Sequence, residues 1–289
     1  MMINPFLNSE RQLRNGWWIL IFFLVLAMFL VPTMIRAQQS SRDIAIGMQA
    51  ILIMLTSFII CQLLRRKPLA ELLGRFNVRW VSELFLGGLI GSALMLIPAL
   101  VLGLFGWVDW QWNTTALSVL SSSLFLFVGV AVTEELLFRG FVFQRLIYGL
   151  GQWPAQMIMS AFFLLTHLNN PGMTGSAKLM ASINIFLASI MFGLAFIRTR
   201  SLAMPLGLHW MANWMQGGIL GFGVSGTAQL GILKPVFGEA TTWLTGGQFG
   251  LEANVPGLIC LIATGLILSK WKALVNNDAP SMSAQAQII

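Results

Sequence analysis

Charged residues are scarce in this 289-residue sequence. Only 9% are Asp, Glu, Lys or Arg, whereas a soluble domain carries about a quarter. Hydrophobic residues make up 57% of the chain. A soluble core cannot bury so large an apolar fraction, so the composition excludes a soluble globular protein and favours a chain embedded in lipid.

Cysteine and histidine are also scarce, and each shortage excludes a class of site. Cys61 and Cys260 lie in separate apolar runs, and two isolated thiols do not make a disulfide framework. We interpret both as packing residues. The two histidines, His167 and His209, are not part of an H-E-x-x-H zinc motif. The G-x-S-x-G motif of serine hydrolases is also absent.

A net charge of +7 gives no indication of nucleic acid. No basic run is interleaved with aromatic residues, and we predict no nucleic-acid partner. In membrane proteins such a surplus reflects cytoplasmic loops that are rich in Lys and Arg.

Eight apolar runs reach or approach the roughly 20 residues that cross a bilayer. They are 17–35, 44–64, 84–105, 116–147, 154–168, 179–197, 202–222 and 255–271. The sequence therefore predicts an all-α polytopic membrane protein of about eight transmembrane helices with a polar intramembrane cavity. Residues 1–272 form one helical membrane domain, with a motif-bearing core at 116–222, and the tail 273–289 is predicted to be disordered.

The basic residues predict the orientation of the helices. If the N-terminus is cytoplasmic and eight spans alternate, thirteen Lys and Arg residues lie on the inner side and four on the outer side. We therefore predict cytoplasmic N- and C-termini, an external loop at 223–254 and insertion in the cell membrane, with the lipid bilayer as a partner.

Two acids and two histidines inside these runs demand a functional explanation, because charges are costly in a membrane. They are Glu134, Glu135, His167 and His209. Glu135 and Arg139 are four residues apart and share a helix face, so they are predicted to pair. Glu134 points about 100° away and stays free. A plain ion pair that holds helices together is the alternative explanation.

The two histidines lie on helix faces of their own. His209 and Asn213 are four residues apart, and such a pair often forms interhelical hydrogen bonds. His167 shares a face with Phe163 and, taken alone, fits a buried core histidine. Because three helices each contribute one polar face, we favour a common site.

Two chemistries fit these side chains. In the first, Glu134, helped by His167, activates water, while His209 and Asn213 stabilise the oxyanion. In the second, Glu134, His167 and His209 bind Zn with one open position. We favour the first scheme, because the second lacks an obvious base once Glu135 is paired with Arg139.

The order of these motifs resembles a known family. Glu134-Glu135-x-x-x-Arg139, Phe163-x-x-x-His167 and His209-x-x-x-Asn213 are similar to the motifs of the CAAX prenyl endopeptidase and bacteriocin-processing family, also called Abi. The resemblance implies an intramembrane protease with a cavity open towards the cytoplasm. It implies that Glu134 and His167 activate water, that His209 and Asn213 form the oxyanion site, and that Glu135 and Arg139 support them. The family is described both as metalloproteases and as glutamate-dependent enzymes, so the need for a metal stays open.

The resemblance predicts an endopeptidase that acts on a membrane-associated peptide or protein. A non-catalytic membrane binding or immunity protein is the alternative that keeps the cavity without turnover. A proton-coupled transporter is a third hypothesis, since acids and histidines can relay protons. No inverted repeat or matched pair of broken helices supports it.

Overall fold

The fold is seen in a computed structural model that describes residues 4–9, 11–40 and 45–271. The predicted tail 273–289 lies outside the described residues. Eleven α-helices cover most of the described chain: α1 Asn15–Gln39, α2 Ile46–Phe58, α3 Ala70–Leu73, α4 Val78–Leu104, α5 Leu120–Phe138, α6 Phe141–Leu150, α7 Gln152–His167, α8 Gly175–Thr199, α9 Ala203–Asn213, α10 Thr242–Thr245 and α11 Val255–Lys270. Two of them, α2 and α9, continue as π-helical turns at Ile59–Leu64 and Trp214–Ile219.

The all-α membrane fold is confirmed, and the chain is an integral membrane protein. Each of the eight predicted runs contains a helix. Within the described ranges, five helices are long and apolar enough to cross a membrane, and Val255–Lys270 is a shorter apolar helix. The count of eight spans stays a prediction.

The fourth run, too long for one crossing, divides into two helices. Helix α5 ends at Phe138 and α6 begins at Phe141, with Gly140 between them. A Cβ on Gly140 would lie 2.0 Å from the carbonyl oxygen of Leu136. The chain turns so tightly against the preceding helical turn that only glycine fits, and this turn places Arg139 just beyond the end of α5.

Helices α4 and α9 pack with their backbones in direct contact. A Cβ on Gly91 of α4 would lie 2.1 Å from the carbonyl oxygen of Leu208, and one on Gly207 of α9 would lie 1.9 Å from that of Leu84. Small residues permit such close approach between membrane helices. This contact fixes the position of α9, which carries His209 and Asn213.

The loop 223–254 is built from short structured elements. Strand β2 of this loop, Leu233–Phe237, pairs antiparallel with β1, Val108–Trp112, which lies between α4 and α5. Val108 lies opposite Phe237. Gly246 and Gly247 have positive φ angles of 82° and 52°, which glycine adopts without a steric penalty in tight turns. Short 3₁₀ helices at Gly247–Phe249 and Leu251–Ala253 lead into α11.

Candidate active site

A cavity of about 520 Å³ lies between the helices that carry the predicted site residues. Glu134 of α5, His167 of α7, and His209 and Asn213 of α9 all line it. Side chains of α2, α4, α8 and the loop 223–254 complete the wall. Four residues spread over 80 positions of sequence thus share one cavity, while Glu135 and Arg139 lie buried behind it.

The predicted ion pair between Glu135 and Arg139 is present and fully buried. Arg139 Nη1 lies 3.3 Å from Glu135 Oε1, and the two side chains are 1% and 0% exposed. Nη2 of Arg139 donates to the carbonyl oxygen and the hydroxyl of Ser189, each at 3.0 Å. The guanidinium also lies 5.0 Å from the ring centres of Phe163 and Phe192. These contacts compensate a cation that burial alone would make costly.

His209 lies between the two carboxylates. Its Nδ1 donates to Glu135 Oε1 at 2.8 Å, and its ring stacks on Phe192 with the centres 4.7 Å apart. Its Nε2 lies 3.7 Å from Oε2 of Glu134. The Glu134 side chain is 23% exposed and that of Glu135 is 0%, so Glu134 is the acid that faces the cavity.

His167 is held by the last turn of α7. Its Nδ1 lies 2.8 Å from the carbonyl oxygen of Phe163. A carbonyl oxygen only accepts, so Nδ1 carries a proton, and in the neutral ring the lone pair is on Nε2. Among the described residues, Nε2 has no hydrogen bond, and none joins His167 to Glu134. Both line the cavity, so any cooperation between them passes through a bound molecule.

Asn213 ends α9 and is 7% exposed at the cavity wall. Its side chain makes no hydrogen bond to any part of the chain that the structure describes. The π-helical turn Trp214–Ile219 begins at the next residue. Such turns occur often at functional sites because they shift the register of a helix face.

Sequence reasoning missed Glu252, which it assigned to the external loop. The structure places this carboxylate in the cavity wall. Its Oε2 accepts from the backbone N–H of Ser225 at 3.0 Å and from the Ser225 hydroxyl at 2.9 Å. Burial raises the pKa of Glu252, while the Ser225 hydrogen bonds and the nearby His167 and His209 oppose that shift. No helical spacing links Glu252 to the other acids, so no sequence pattern marked it.

Glu252 fixes a tight turn that contacts the end of α7. In the turn 224–227, Ser225 has a φ of +47° and Gly226 one of +84°. A positive φ is unfavourable for serine, so the two hydrogen bonds to Glu252 offset local strain. Asn170, three residues after His167, donates from Nδ2 to the Ser225 carbonyl oxygen at 3.1 Å. The loop and the His167 end of α7 are therefore joined.

The cavity extends towards one end of the bundle. Its lining runs from His209 in the middle of α9 to the loop residues 224–229 and Glu252. The basic residues predict that this end is external, whereas the family resemblance predicts a cavity open to the cytoplasm. In this fold the two predictions point to opposite sides of the membrane.

The donor atoms of the cavity determine whether it can hold a metal ion. Glu134 and His209 approach within 3.7 Å, so two candidate ligands meet. Over the described ranges, however, no three His, Cys, Asp or Glu side chains are grouped to hold a metal ion. A zinc site in a protein uses at least three such ligands. As placed, Glu134, His167 and His209 do not fit the zinc scheme.

Comparison with known proteins identifies the core of the chain. The family model of Rce1-like type II CAAX prenyl endopeptidases matches residues 115–215. This segment contains all six predicted site residues, and the family resemblance predicted from the motifs is confirmed. The family is one of proteases, so the match supports a protease in a lipid environment. No curated protein and no solved structure matches the chain.

Proposed function

We propose, from the Rce1-like match of residues 115–215, that this chain is an intramembrane endopeptidase that hydrolyses a peptide bond of a membrane-associated protein or peptide. The observation that carries the proposal is the convergence of Glu134, His167, His209 and Asn213 on one cavity. Its volume of about 520 Å³ lies within the range of small-molecule sites, roughly 300–1,000 Å³, and accommodates a short extended peptide segment.

Glu134 is the proposed general base. Its support is the exposure of its carboxylate to the cavity, whereas Glu135 accepts hydrogen bonds from Arg139 and His209. His167 assists through its Nε2 lone pair, because Nδ1 is bound to Phe163. Together they remove a proton from water, and the hydroxide attacks the carbonyl carbon. The proton then passes to the leaving nitrogen as the C–N bond breaks.

His209 and Asn213 are the proposed oxyanion donors. Asn213 offers a side-chain N–H₂ group that no described residue occupies. His209 uses Nδ1 for Glu135, so it donates to an oxyanion only when Nε2 is also protonated. That form places two cations, Arg139 and His209, against two carboxylates, Glu134 and Glu135. The balance of charges supports an imidazolium in the resting site.

We propose that the reaction needs no metal. The same residues then have one role each, and the hydrogen bond to Glu135 fixes the orientation of the His209 ring. Activity is expected to survive exhaustive chelation. Stoichiometric zinc whose removal stops turnover, and whose return restores it, would make His209 a ligand and overturn this scheme.

The orientation in the cell membrane is also a proposal, with both termini cytoplasmic. Cysteine labelling at position 234, in exposed β2, distinguishes the two sides. Labelling only from the cytoplasmic side would reverse the orientation and place the cavity end at the cytoplasm, as the family resemblance implies.

The experiment that tests the proposed function is turnover of a library of membrane peptides by the purified chain, with and without chelator. We expect cleavage by the natural sequence and turnover lower by about 10²–10⁴-fold for Glu134→Gln. Peptide that binds to both proteins and is cleaved by neither would favour the non-catalytic binding or immunity protein. Proton-coupled uptake into vesicles without cleavage would favour a transporter.

A further inference from the structure

A second cavity, of about 770 Å³, lies at the end of the bundle opposite the loop 223–254. Its walls come from the segment before α1, the turns around α3, the start of α4, α6 and the connection between α8 and α9. Six basic side chains line it: Arg65, Lys67, Arg75, Arg79, Arg145 and Arg200. Two carboxylates, Glu71 and Glu83, face them, which leaves a formal surplus of four positive charges.

The two carboxylates are already engaged. Glu71 Oε1 lies 3.3 Å from Arg65 and 3.6 Å from Arg145, so one acid serves two cations. Glu83 accepts from Arg79 at 2.7 Å. These contacts hold one wall of the cavity in place. They do not remove the surplus of four positive charges.

Three cations have no anionic partner among the described residues. Lys67 and Arg75 are exposed, and Arg200 is half-buried at the connection between α8 and α9. Arg200 has a φ of +57°, and burial lowers its pKa. Arg145 is 4% exposed, and its Nε has no hydrogen-bond partner. Cations without an anionic partner around a concave space favour an anion with several oxygens.

Apolar groups beside these cations define the kind of anion. Trp18, Leu64, Trp80 and Phe196 line the same cavity. Tryptophan is enriched at the level of lipid head groups, where its ring is partly in lipid and partly in water. A free inorganic ion uses no apolar wall, whereas a lipid presents a phosphate next to its acyl chains. Basic pockets between membrane helices bind such head groups in other proteins.

We propose that this cavity binds the phosphate group of an anionic phospholipid. Lys67, Arg75 and Arg200 contact the phosphate, Arg145 adds charge from the base of the cavity, and Trp18 and Trp80 flank the start of the acyl chains. The site is separate from the cavity of Glu134 and does not depend on the proposed peptidase activity.

The test measures lipid binding to the full chain in phosphatidylcholine nanodiscs, with and without phosphatidylglycerol. We expect selective retention of phosphatidylglycerol by the natural sequence, seen by native mass spectrometry and as a rise in Tm. Each removed cation should weaken this binding roughly fivefold, the effect of a basic residue near an anionic surface. The double substitution Arg75→Gln and Arg200→Gln should therefore weaken it by roughly 25-fold.

Neighbouring residues provide a matched control. Lys67 and Arg66 are adjacent and exposed, but only Lys67 lines the cavity. Lys67→Gln should reduce phosphatidylglycerol retention and Arg66→Gln should not, although both remove one charge. Since Lys67 is exposed, its variant stays informative if the double variant fails to fold.

Three results would overturn the assignment. Equal losses in Lys67→Gln and Arg66→Gln would indicate general surface attraction instead of a site. If the natural sequence shows no preference for phosphatidylglycerol, an anionic phospholipid is not the ligand. A full rise in Tm with inorganic phosphate in phosphatidylcholine discs would identify a soluble anion as the ligand.

Discussion

The two cavities at opposite ends of the bundle differ in their balance of acidic and basic side chains. Around Glu134 and Glu135, the acids are matched by Arg139 and His209, and the pair behind the cavity wall is completely buried. In the cavity around Arg200, cations outnumber carboxylates by four. A charge inside the membrane is stable only when it is paired. A surplus of positive charge at the membrane surface can be balanced by anionic lipid and water.

The contrast separates the proposed catalytic features from the proposed docking features. The Glu134 cavity contains histidines, which can accept or donate protons, and the Asn213 amide, which can donate hydrogen bonds. The basic cavity contains groups that carry fixed charge and bind anions. Substitutions that exchange these properties should therefore have effects of different kinds and sizes.

The largest expected effect comes from the two adjacent acids. Glu134→Gln should lower turnover by about 10²–10⁴-fold with little loss of stability, because it removes only the base. Glu135→Gln should instead destabilise the protein by about 3–5 kcal/mol, since it leaves Arg139 buried without a carboxylate. Turnover and Tm of both variants measure the difference. A stable, inactive Glu135→Gln beside an active Glu134→Gln would reverse the two roles.

Asn213 tests the oxyanion site. Asn213→Ala should reduce turnover by about 10²–10³-fold, the usual cost of losing one oxyanion donor. Peptide binding and Tm should change little, because the side chain makes no hydrogen bond within the described chain. Rate and peptide affinity are measured on the same preparation. If Asn213→Ala turns over substrate at the rate of the natural sequence, Asn213 is not an oxyanion donor.

The α4–α9 contact tests whether the active-site cavity depends on helix packing. Gly91→Leu should destabilise the protein by about 1–3 kcal/mol, because the leucine side chain would collide with the backbone of α9 next to His209. Turnover should fall as well. Gly265→Leu in α11 is the matched control, since no atom lies within 4 Å of its added Cβ. Equal Tm values for the two variants would contradict the close contact.

The smallest expected effect concerns the pH dependence that Glu252 introduces. Its pKa is raised in the folded state, so its stabilising contribution is present below the ordinary glutamate pKa and is lost as pH rises through the raised value. As pH rises above the ordinary glutamate pKa, the Tm of the natural sequence should therefore fall relative to that of Glu252→Gln. Glu239→Gln, an exposed acid of the same loop, is the control. A difference that stays constant with pH would show that Glu252 does not titrate in this range.

Much of the site was predictable because helical periodicity is a local property. The spacing of Glu135 and Arg139 predicts their ion pair, and the 100° step between neighbours predicts that Glu134 points elsewhere. Motif order then indicated the family resemblance that the match over residues 115–215 supports. What spacing could not reveal is that His209 lies between both carboxylates, since that contact joins positions 74 residues apart.

The sequence by itself determined that this is a helical membrane protein, because so apolar a chain with so few charges is stable only in lipid. It also determined which side chains share a helix face. Only the tertiary structure decided which faces meet: the glycines of α4 bring α9 within backbone contact, and the turn at Ser225 brings Glu252 into the cavity. It also gathered the basic residues of four separate segments around one basic cavity. Contacts between distant segments depend on the shape of every helix packed between them, and no local pattern encodes that shape.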